Sequence, residues 1–126
     1  MCGIIGFFNF EDGKELTEKA LEIIRHRGED ASNVGEGNQY CIGHCLHSIN
    51  GFVEQPFGKG RFVTNCEIYN ADDLEVKGRN DAEKLYNYVS EEGVSQESLK
   101  RLDGVYSFAK INDEEVILAR DLLGVK

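Results

Sequence analysis

The chain opens with Met1-Cys2-Gly3-Ile4-Ile5-Gly6-Phe7-Phe8-Asn9. From Gly3 to Asn9 this is an apolar run of strand length, and the turn residues Glu11-Asp12-Gly13 follow it. Such a run predicts a β-strand that is buried on both faces. No basic residue precedes it and acidic residues close it, so we expect neither a secretion signal nor a membrane span.

Helix and strand patterns are mixed along the rest of the chain. Thr17 is a candidate cap for a helix over 18–25, and Gly28 can end that helix. Its predicted inner stripe consists of Ala20, Leu21, Ile23 and Ile24. The polar, Gly-rich residues 29–38 predict a loop. Further strands are predicted at 40–48, 61–64, 105–111 and 116–120, and further helices at 82–89, capped by Asn80 or Asp81, and from Ser95 to near Leu102. This mixture indicates an α+β fold.

Size and charge narrow the functional classes. The 126 residues suit a single domain over 1–126, and the net charge is −9. Binding to nucleic acid or to an anionic membrane needs a surplus of Lys and Arg, so we expect neither partner. Without a targeting signal the expected location is the cytoplasm, where thiols stay reduced. The cysteines at 2, 41, 45 and 66 are then catalytic, metal-binding or simply buried.

The run from Cys41 to His47 is a candidate metal site. Side chains alternate along a strand, so Cys41, Cys45 and His47 would share one face, and a fourth ligand from elsewhere could complete a zinc site. However, the C-x₂-C spacing is absent, and buried structural cysteines are common. We therefore predict no metal.

Cys2 is the most informative single residue. A small residue after the initiator permits removal of Met1, and the thiol and the α-amine would then belong to the same residue. Their ordinary pKa values are about 8.5 and about 7.7–8.0, so moving the proton from sulfur to nitrogen costs only ~1 kcal/mol. A nucleophile and its base would thus be paired at the start of the chain. The alternative is that Cys2 is a small buried hydrophobic residue.

The motifs of this chain resemble those of a known family in order along nearly the whole sequence. Residues 1–6 resemble the start of class II glutamine amidotransferases, which are N-terminal-nucleophile hydrolases that release ammonia from glutamine. The later motifs resemble the asparagine synthetase branch. They are Arg25-His26-Arg27-Gly28-Glu29-Asp30, Gly43-His44 with Ser48-Ile49, Asn65-Cys66-Glu67-Ile68-Tyr69-Asn70, Asn80-Asp81-Ala82-Glu83, Leu102-Asp103-Gly104 and Ala119 to Lys126.

The resemblance implies a role for each matching residue. Cys2 would attack the side-chain amide of glutamine and form a glutamyl thioester. The Asn65 side chain and the backbone N–H of Cys66 would form the oxyanion hole. Asp81 would hold the substrate's α-ammonium, although a helix cap is the alternative for this residue. Glu67 and Ile49 would also line the substrate pocket, and no cofactor is implied.

The sequence departs from the family pattern at three positions. Leu46 stands where the family has an arginine that grips the substrate α-carboxylate, and leucine cannot make that charged bond. Cys66 replaces a glycine, which adds a side chain and disfavours a positive φ. Glu29 replaces a proline in a turn. Arg79, two residues before Asp81, is a candidate replacement for the lost arginine; the alternative is a solvated surface arginine.

The resemblance also implies the fold and the partners. The family fold is a four-layer α-β-β-α sandwich, and Gly124-Val125-Lys126 falls inside a family motif after which further strands are expected. The chain thus appears shortened at its C-terminus, which would leave a sheet edge open for pairing with another chain or a second copy. We expect a glutaminase that supplies ammonia to an asparagine synthetase-type domain or subunit. The alternative, favoured by Leu46 and Cys66, is a non-catalytic binding or regulatory module.

Overall fold

The strands form two antiparallel sheets of three strands each, in a computed structural model that describes residues Met1–Lys126. The first sheet has the order β1-β3-β2 and the second the order β4-β5-β6. The elements in chain order are β1 Gly3–Phe8, α1 Gly13–Ile23, β2 Ala31–Gly37, β3 Tyr40–Leu46, β4 Phe62–Ile68, α2 Asp81–Glu91, α3 Gln96–Lys100, β5 Gly104–Ile111 and β6 Val116–Arg120. Single 3₁₀ turns occupy Arg25–Arg27 and Ala71–Leu74. The α+β class is confirmed.

The opening strand forms as expected, but the prediction that it is buried on both faces was wrong. β1 is an edge strand of the first sheet, and most of its residues are only half-buried. The strand buried on both faces is β3, in which every residue from Cys41 to Leu46 is buried. An apolar run indicates that a strand is shielded from water. It does not distinguish a central strand such as β3 from an edge strand such as β1, whose residues are only partly covered.

The predicted loop at 29–38 was also wrong, because Ala31–Gly37 form the edge strand β2. Its glycines reflect close packing rather than a turn. A Cβ on Gly35 would lie 2.5 Å from the Cα of Gly60, so two backbones meet here with no room for a side chain. A polar, Gly-rich strand at a sheet edge has the composition of a loop, which explains the error.

The first helix begins earlier than its sequence predicts. α1 begins at Gly13, and Thr17 lies inside it, where its hydroxyl donates a 2.7 Å hydrogen bond to the Gly13 carbonyl. A threonine hydroxyl can satisfy itself on the preceding turn as readily as it can cap a helix. The inner face consists of Thr17 and Leu21, whereas Ile23, which was predicted to be internal, is 76% exposed.

The helices cover opposite faces of the two sheets. A Cβ on Gly43 of β3 would lie 2.7 Å from both Thr17 and Leu21, so glycine allows α1 to pack directly on the first sheet. Between the sheets lies a buried cluster of Ile42, Val63, Ala109 and Ile111. On the far side, α2 packs Leu85, Tyr88 and Val89 against the second sheet through Phe62 and Phe108. This arrangement is compatible with a sandwich of four layers.

The second half of the chain follows its sequence signals closely. Asn80 caps α2 by accepting the N–H of Glu83 at 3.0 Å, which selects it over Asp81. Ser95 caps α3 as predicted, and the strands predicted at 105–111 and 116–120 form as β5 and β6, which pair as a hairpin. β4 is longer than expected, since it continues to Ile68. None of the helices has the length and apolar character needed to cross a bilayer.

Candidate active site

A pocket of about 310 Å³ opens where the start of the chain meets β4 and the beginning of α2. The polar residues of the predicted site converge on it from distant parts of the sequence. Six of the seven predicted site residues line it: Cys2, Ile49, Asn65, Cys66, Glu67 and Asp81. The seventh, Arg79, does not. These six predicted site residues therefore meet in one place, the pocket that the Cys2 thiol lines.

Backbone groups hold the Cys2 thiol in this pocket. The N–H of His47 donates to Sγ at 3.4 Å, and Sγ in turn faces the His47 carbonyl at 3.7 Å. On the other side, Nε of Arg27 donates to the Cys2 carbonyl at 3.3 Å. Cys2 is thus fixed at both its side chain and its backbone.

The outer edge of β4 presents a single backbone donor to the pocket. The Gln55 side chain bonds the N–H of Thr64 at 2.7 Å and its carbonyl at 3.0 Å, while Oδ2 of Asp81 accepts the N–H of Ile68 at 3.0 Å. Along a strand, N–H groups two residues apart point to the same edge. The Cys66 N–H therefore lies between these two capped positions and is directed toward the pocket that Cys66 lines.

Asn65 adds a second donor beside that N–H. It lies on the same face of β4 as Val63, which belongs to the cluster between the sheets, so its side chain projects toward the side of the sheet where Cys2 lies. The residue is only 9% exposed, and it lines the pocket. Its side-chain amide can donate two hydrogen bonds. A developing negative charge in the pocket would therefore meet a side-chain donor and a backbone donor.

The side chain of Cys66 leaves this donor pair unobstructed. Strand alternation places it on the opposite face of β4, and the residue has no positive φ, so the family's glycine is not needed here for its backbone conformation. Burial raises the pKa of the Cys66 thiol to about 12. This thiol is therefore neutral near pH 7, and the other thiol that lines the pocket is that of Cys2.

Comparisons with known proteins identify the family. A family model of the glutamine amidotransferase domain matches residues 1–126. The chain belongs to this family. Amidase chry2 of Gibberella zeae is 28% identical over 158 residues, which cover the whole chain and 23% of the amidase. The isomerizing glutamine–fructose-6-phosphate aminotransferase of Bacillus spizizenii is 32% identical over 77 residues, which cover 61% of the chain and 11% of the relative. That of Halalkalibacterium halodurans is 32% identical over 68 residues, which cover 54% of the chain and 10% of the relative.

The chain spans less than a quarter of the length of these curated relatives. The family assignment that the motifs predict is confirmed.

The pocket of this amidotransferase domain is apolar where the family arginine would stand. Leu46 lines it and is 4% exposed. The guanidinium of Arg79 does not fill that place, because it binds both carboxylate oxygens of Glu83 at 2.9–3.2 Å on the surface. This pair lowers the pKa of Glu83 and raises that of Arg79. Arg79 could reach a substrate only by leaving Glu83.

The ligands considered for zinc do not assemble in the amidotransferase domain. Cys41 and Cys45 lie on the face of β3 that α1 covers, whereas His47 lies beyond the strand, near Asp30 with Nδ1 to Oδ2 at 3.8 Å. No group of three or more His, Cys, Asp or Glu side chains is placed to hold a metal ion. His44 is buried with Nε2 unpartnered, and burial lowers its pKa to about 4, so it is neutral near pH 7.

Three contributors to this site were missed by sequence reasoning. Gln55 lies in a segment without regular structure, and nothing in its sequence shows that it is buried and bonded to β4. Arg27 was noted only as part of a motif. Lys126, which binds Oε1 of Glu67 at 3.0 Å, was seen only as the end of a motif. For Gln55, the only available signal was an amide next to the single proline, which is too weak to assign a role.

Proposed function

We propose that residues 1–126 act as one glutaminase domain of the N-terminal-nucleophile type, built as a four-layer sandwich, which hydrolyses glutamine to glutamate and ammonia. The observation that carries this proposal is the convergence of Cys2, Asn65 and Cys66 in one pocket, with the Cys66 N–H on the outer edge of β4. A thiol nucleophile facing two preorganised donors is the arrangement that acyl transfer from an amide requires.

In the proposed reaction, Met1 is first removed and the α-amine of Cys2 takes the thiol proton. The sulfur then attacks the side-chain carbonyl carbon of glutamine, and the negative charge moves to the carbonyl oxygen between Asn65 and the Cys66 N–H. The α-ammonium gives its proton to the departing nitrogen, and ammonia leaves as the thioester forms. Water then attacks the thioester with the amine as base, which releases glutamate and restores the thiol.

Substrate orientation would rest on the pocket's charged rim. One oxygen of Asp81 is occupied by the N–H of Ile68, which leaves the other for the substrate's α-ammonium. Glu67 and Ile49 would bound the same space. For the α-carboxylate, Arg79 is the proposed ligand, since Asn80 and Asp81 directly after it line the pocket. A carboxylate there would compete with Glu83 for the guanidinium.

The ammonia acceptor is proposed to be an asparagine synthetase-type domain or subunit in the cytoplasm. The motifs around Asn65, Asn80 and Gly124 support this branch, and the four cysteines, all of them free, suit a reducing compartment. The alternative acceptor is a sugar phosphate, since two relatives are named as glutamine–fructose-6-phosphate aminotransferases. An ammonia-transfer assay with each type of acceptor would separate these branches.

A non-catalytic binding module is the second candidate, and one observation favours it. The buried Leu46 leaves the pocket without the arginine that would fix the substrate carboxylate. Such a module would still bind an amino acid or a partner without turning it over.

The deciding experiment measures glutamate release from glutamine by the chain whose mass shows that Met1 is absent. We expect turnover in the processed protein and none above background in Cys2→Ala. Arg79→Ala should raise KM several-fold with little change in kcat if Arg79 binds the carboxylate. Lack of activity in the processed wild type, with glutamine binding retained by calorimetry, would overturn the glutaminase proposal in favour of the binding module. An unchanged KM in Arg79→Ala would rule out Arg79 as the ligand of the α-carboxylate and leave the rest of the glutaminase proposal in place.

A further inference from the structure

Met1 contacts a lysine with a buried side chain, Lys126, in the turn that follows β6. Nζ of Lys126 lies 3.0 Å from Oε1 of Glu67 and 3.1 Å from Sδ of Met1, and the lysine side chain is 4% exposed. Burying an ammonium costs free energy unless it is paired, so this placement needs the Glu67 carboxylate. The Glu67 carboxylate belongs to β4, and the Lys126 ammonium also faces Met1, the residue before Cys2.

We propose that Lys126 is a positioning residue of the nucleophilic N-terminus: anchored on Glu67, its ammonium faces the α-amine of Cys2 once Met1 is removed and keeps that amine in its neutral, basic form. This inference rests on the proposed function and adds to it the group that tunes the base. The Met1 side chain now occupies the space next to the ammonium, and the Met1 carbonyl carbon is bonded to the Cys2 nitrogen.

Asp121 fixes the position of Lys126. Its carboxylate accepts the N–H of Val125 at 2.9 Å, of Lys126 at 3.0 Å and of Tyr106 at 3.3 Å, and the residue is 5% exposed. These hydrogen bonds lower the pKa of the Asp121 carboxyl, and the bond from the Val125 N–H has the largest effect. The turn after β6 is therefore tied to β5, and it delivers the Lys126 backbone to the edge of the pocket in one place.

The charges around the N-terminus come from five directions. Arg27 approaches from the 3₁₀ turn and binds the Cys2 carbonyl. The pair of His47 and Asp30 lies beyond β3. Asp81 and Glu67 line the pocket, from α2 and β4, and Lys126 comes from the turn after β6. Of these, Lys126 is the cation in contact with Met1, so it is placed to act on a new α-amine. The positive charge of Lys126 would disfavour the ammonium form of the Cys2 α-amine, because the charges have the same sign. It would favour the Cys2 thiolate, because the charges have opposite signs.

The test compares the processed wild type with Lys126→Met, Lys126→Arg and Lys100→Met. Lys100 is an exposed lysine on α3 and serves as the matched control. Two pH profiles are recorded for each protein: kcat/KM for glutamine, and the rate of iodoacetamide modification at Cys2 located by peptide mass. In Lys126→Met we expect both midpoints to rise by roughly one pH unit, equal to about tenfold in rate on the acidic limb. Lys126→Arg and Lys100→Met should keep the wild-type midpoints.

Glu67→Gln provides a test of opposite sign and also covers the case in which Lys126→Met fails to fold. Removing the counter-charge leaves the ammonium uncompensated, so the midpoint of iodoacetamide modification should fall rather than rise. Unchanged midpoints in both Lys126→Met and Glu67→Gln would overturn the role of Lys126. If the wild type releases no glutamate, the modification profile still decides the role of Lys126, while the proposed function itself fails.

Discussion

The two outer edges of the second sheet differ in how their backbone hydrogen-bonding groups are satisfied. At β4, side chains from outside the sheet cap the backbone: Gln55 bonds Thr64 and Asp81 bonds Ile68, which isolates the N–H of Cys66. At β6, no strand pairs with the outer edge, and Leu118 on that strand is 70% exposed. At β4 the neighbouring backbone groups are satisfied and one donor is left over, whereas β6 leaves its whole outer edge unpaired.

The faces of the two strands differ as well. Leu118 pairs with Ala109, which belongs to the buried cluster between the sheets, yet Leu118 itself is largely open to solvent. The first sheet therefore covers β4 but does not extend over β6. The open edge of β6, with its exposed apolar side chains, can pair with a strand of another chain. At the capped edge of β4, only the Cys66 N–H is left for a further hydrogen bond.

The largest expected effect lies at the capped edge. Asn65→Ala removes the side-chain donor beside the Cys66 N–H, and losing one such donor typically lowers kcat by roughly 10²–10³-fold. We expect KM to change little, because the donor acts on charge that develops during the reaction. Steady-state glutamate release measures this. Asn38→Ala, at an exposed asparagine of the β2–β3 turn, is the control. A loss of less than about threefold in kcat would contradict the assignment of Asn65 to the oxyanion hole.

A smaller effect, on stability, is expected from the cap itself. Gln55→Ala leaves the buried N–H and carbonyl of Thr64 without partners, which should lower the free energy of unfolding by about 1–3 kcal/mol. Chemical denaturation monitored by circular dichroism measures the change. Gln96→Ala, at an exposed glutamine of α3, should be close to neutral. If Gln55→Ala were equally neutral, the edge of β4 would be satisfied by water and its description as a capped edge would be wrong.

The smallest effect is expected at the open edge. Leu118→Ser removes an exposed side chain, so the free energy of unfolding should stay within about 0.5 kcal/mol of wild type. The same denaturation experiment, run at two protein concentrations, checks it. A loss well above that range, growing with protein concentration, would show that a second copy covers β6 in solution and would erase the contrast between the two edges.

Sequence reasoning succeeded where a residue signals its own environment. Asn80 and Ser95 have the side-chain chemistry of helix caps, and the sequence predicts strands at 105–111 and 116–120, where β5 and β6 form. The motif residues of the pocket were also found, because their order along the chain matches a family pattern. It failed where the environment is supplied by distant residues: the glycines of β2 signal a loop until Gly60 is placed against Gly35. The same holds for Gln55 and Lys126, because their partners, Thr64 and Glu67, lie on β4, far from them in the sequence.

The contact between Lys126 and Met1 has a consequence for the order of folding. It joins residues 125 positions apart, so the loop that it closes spans the chain. Closing so long a loop costs entropy that local elements do not have to overcome, and contacts of this range tend to form late. The helices and hairpins can therefore assemble before the thiol has its final surroundings. A partly folded chain would therefore present Cys2 before Lys126 and Glu67 take their places beside the start of β1.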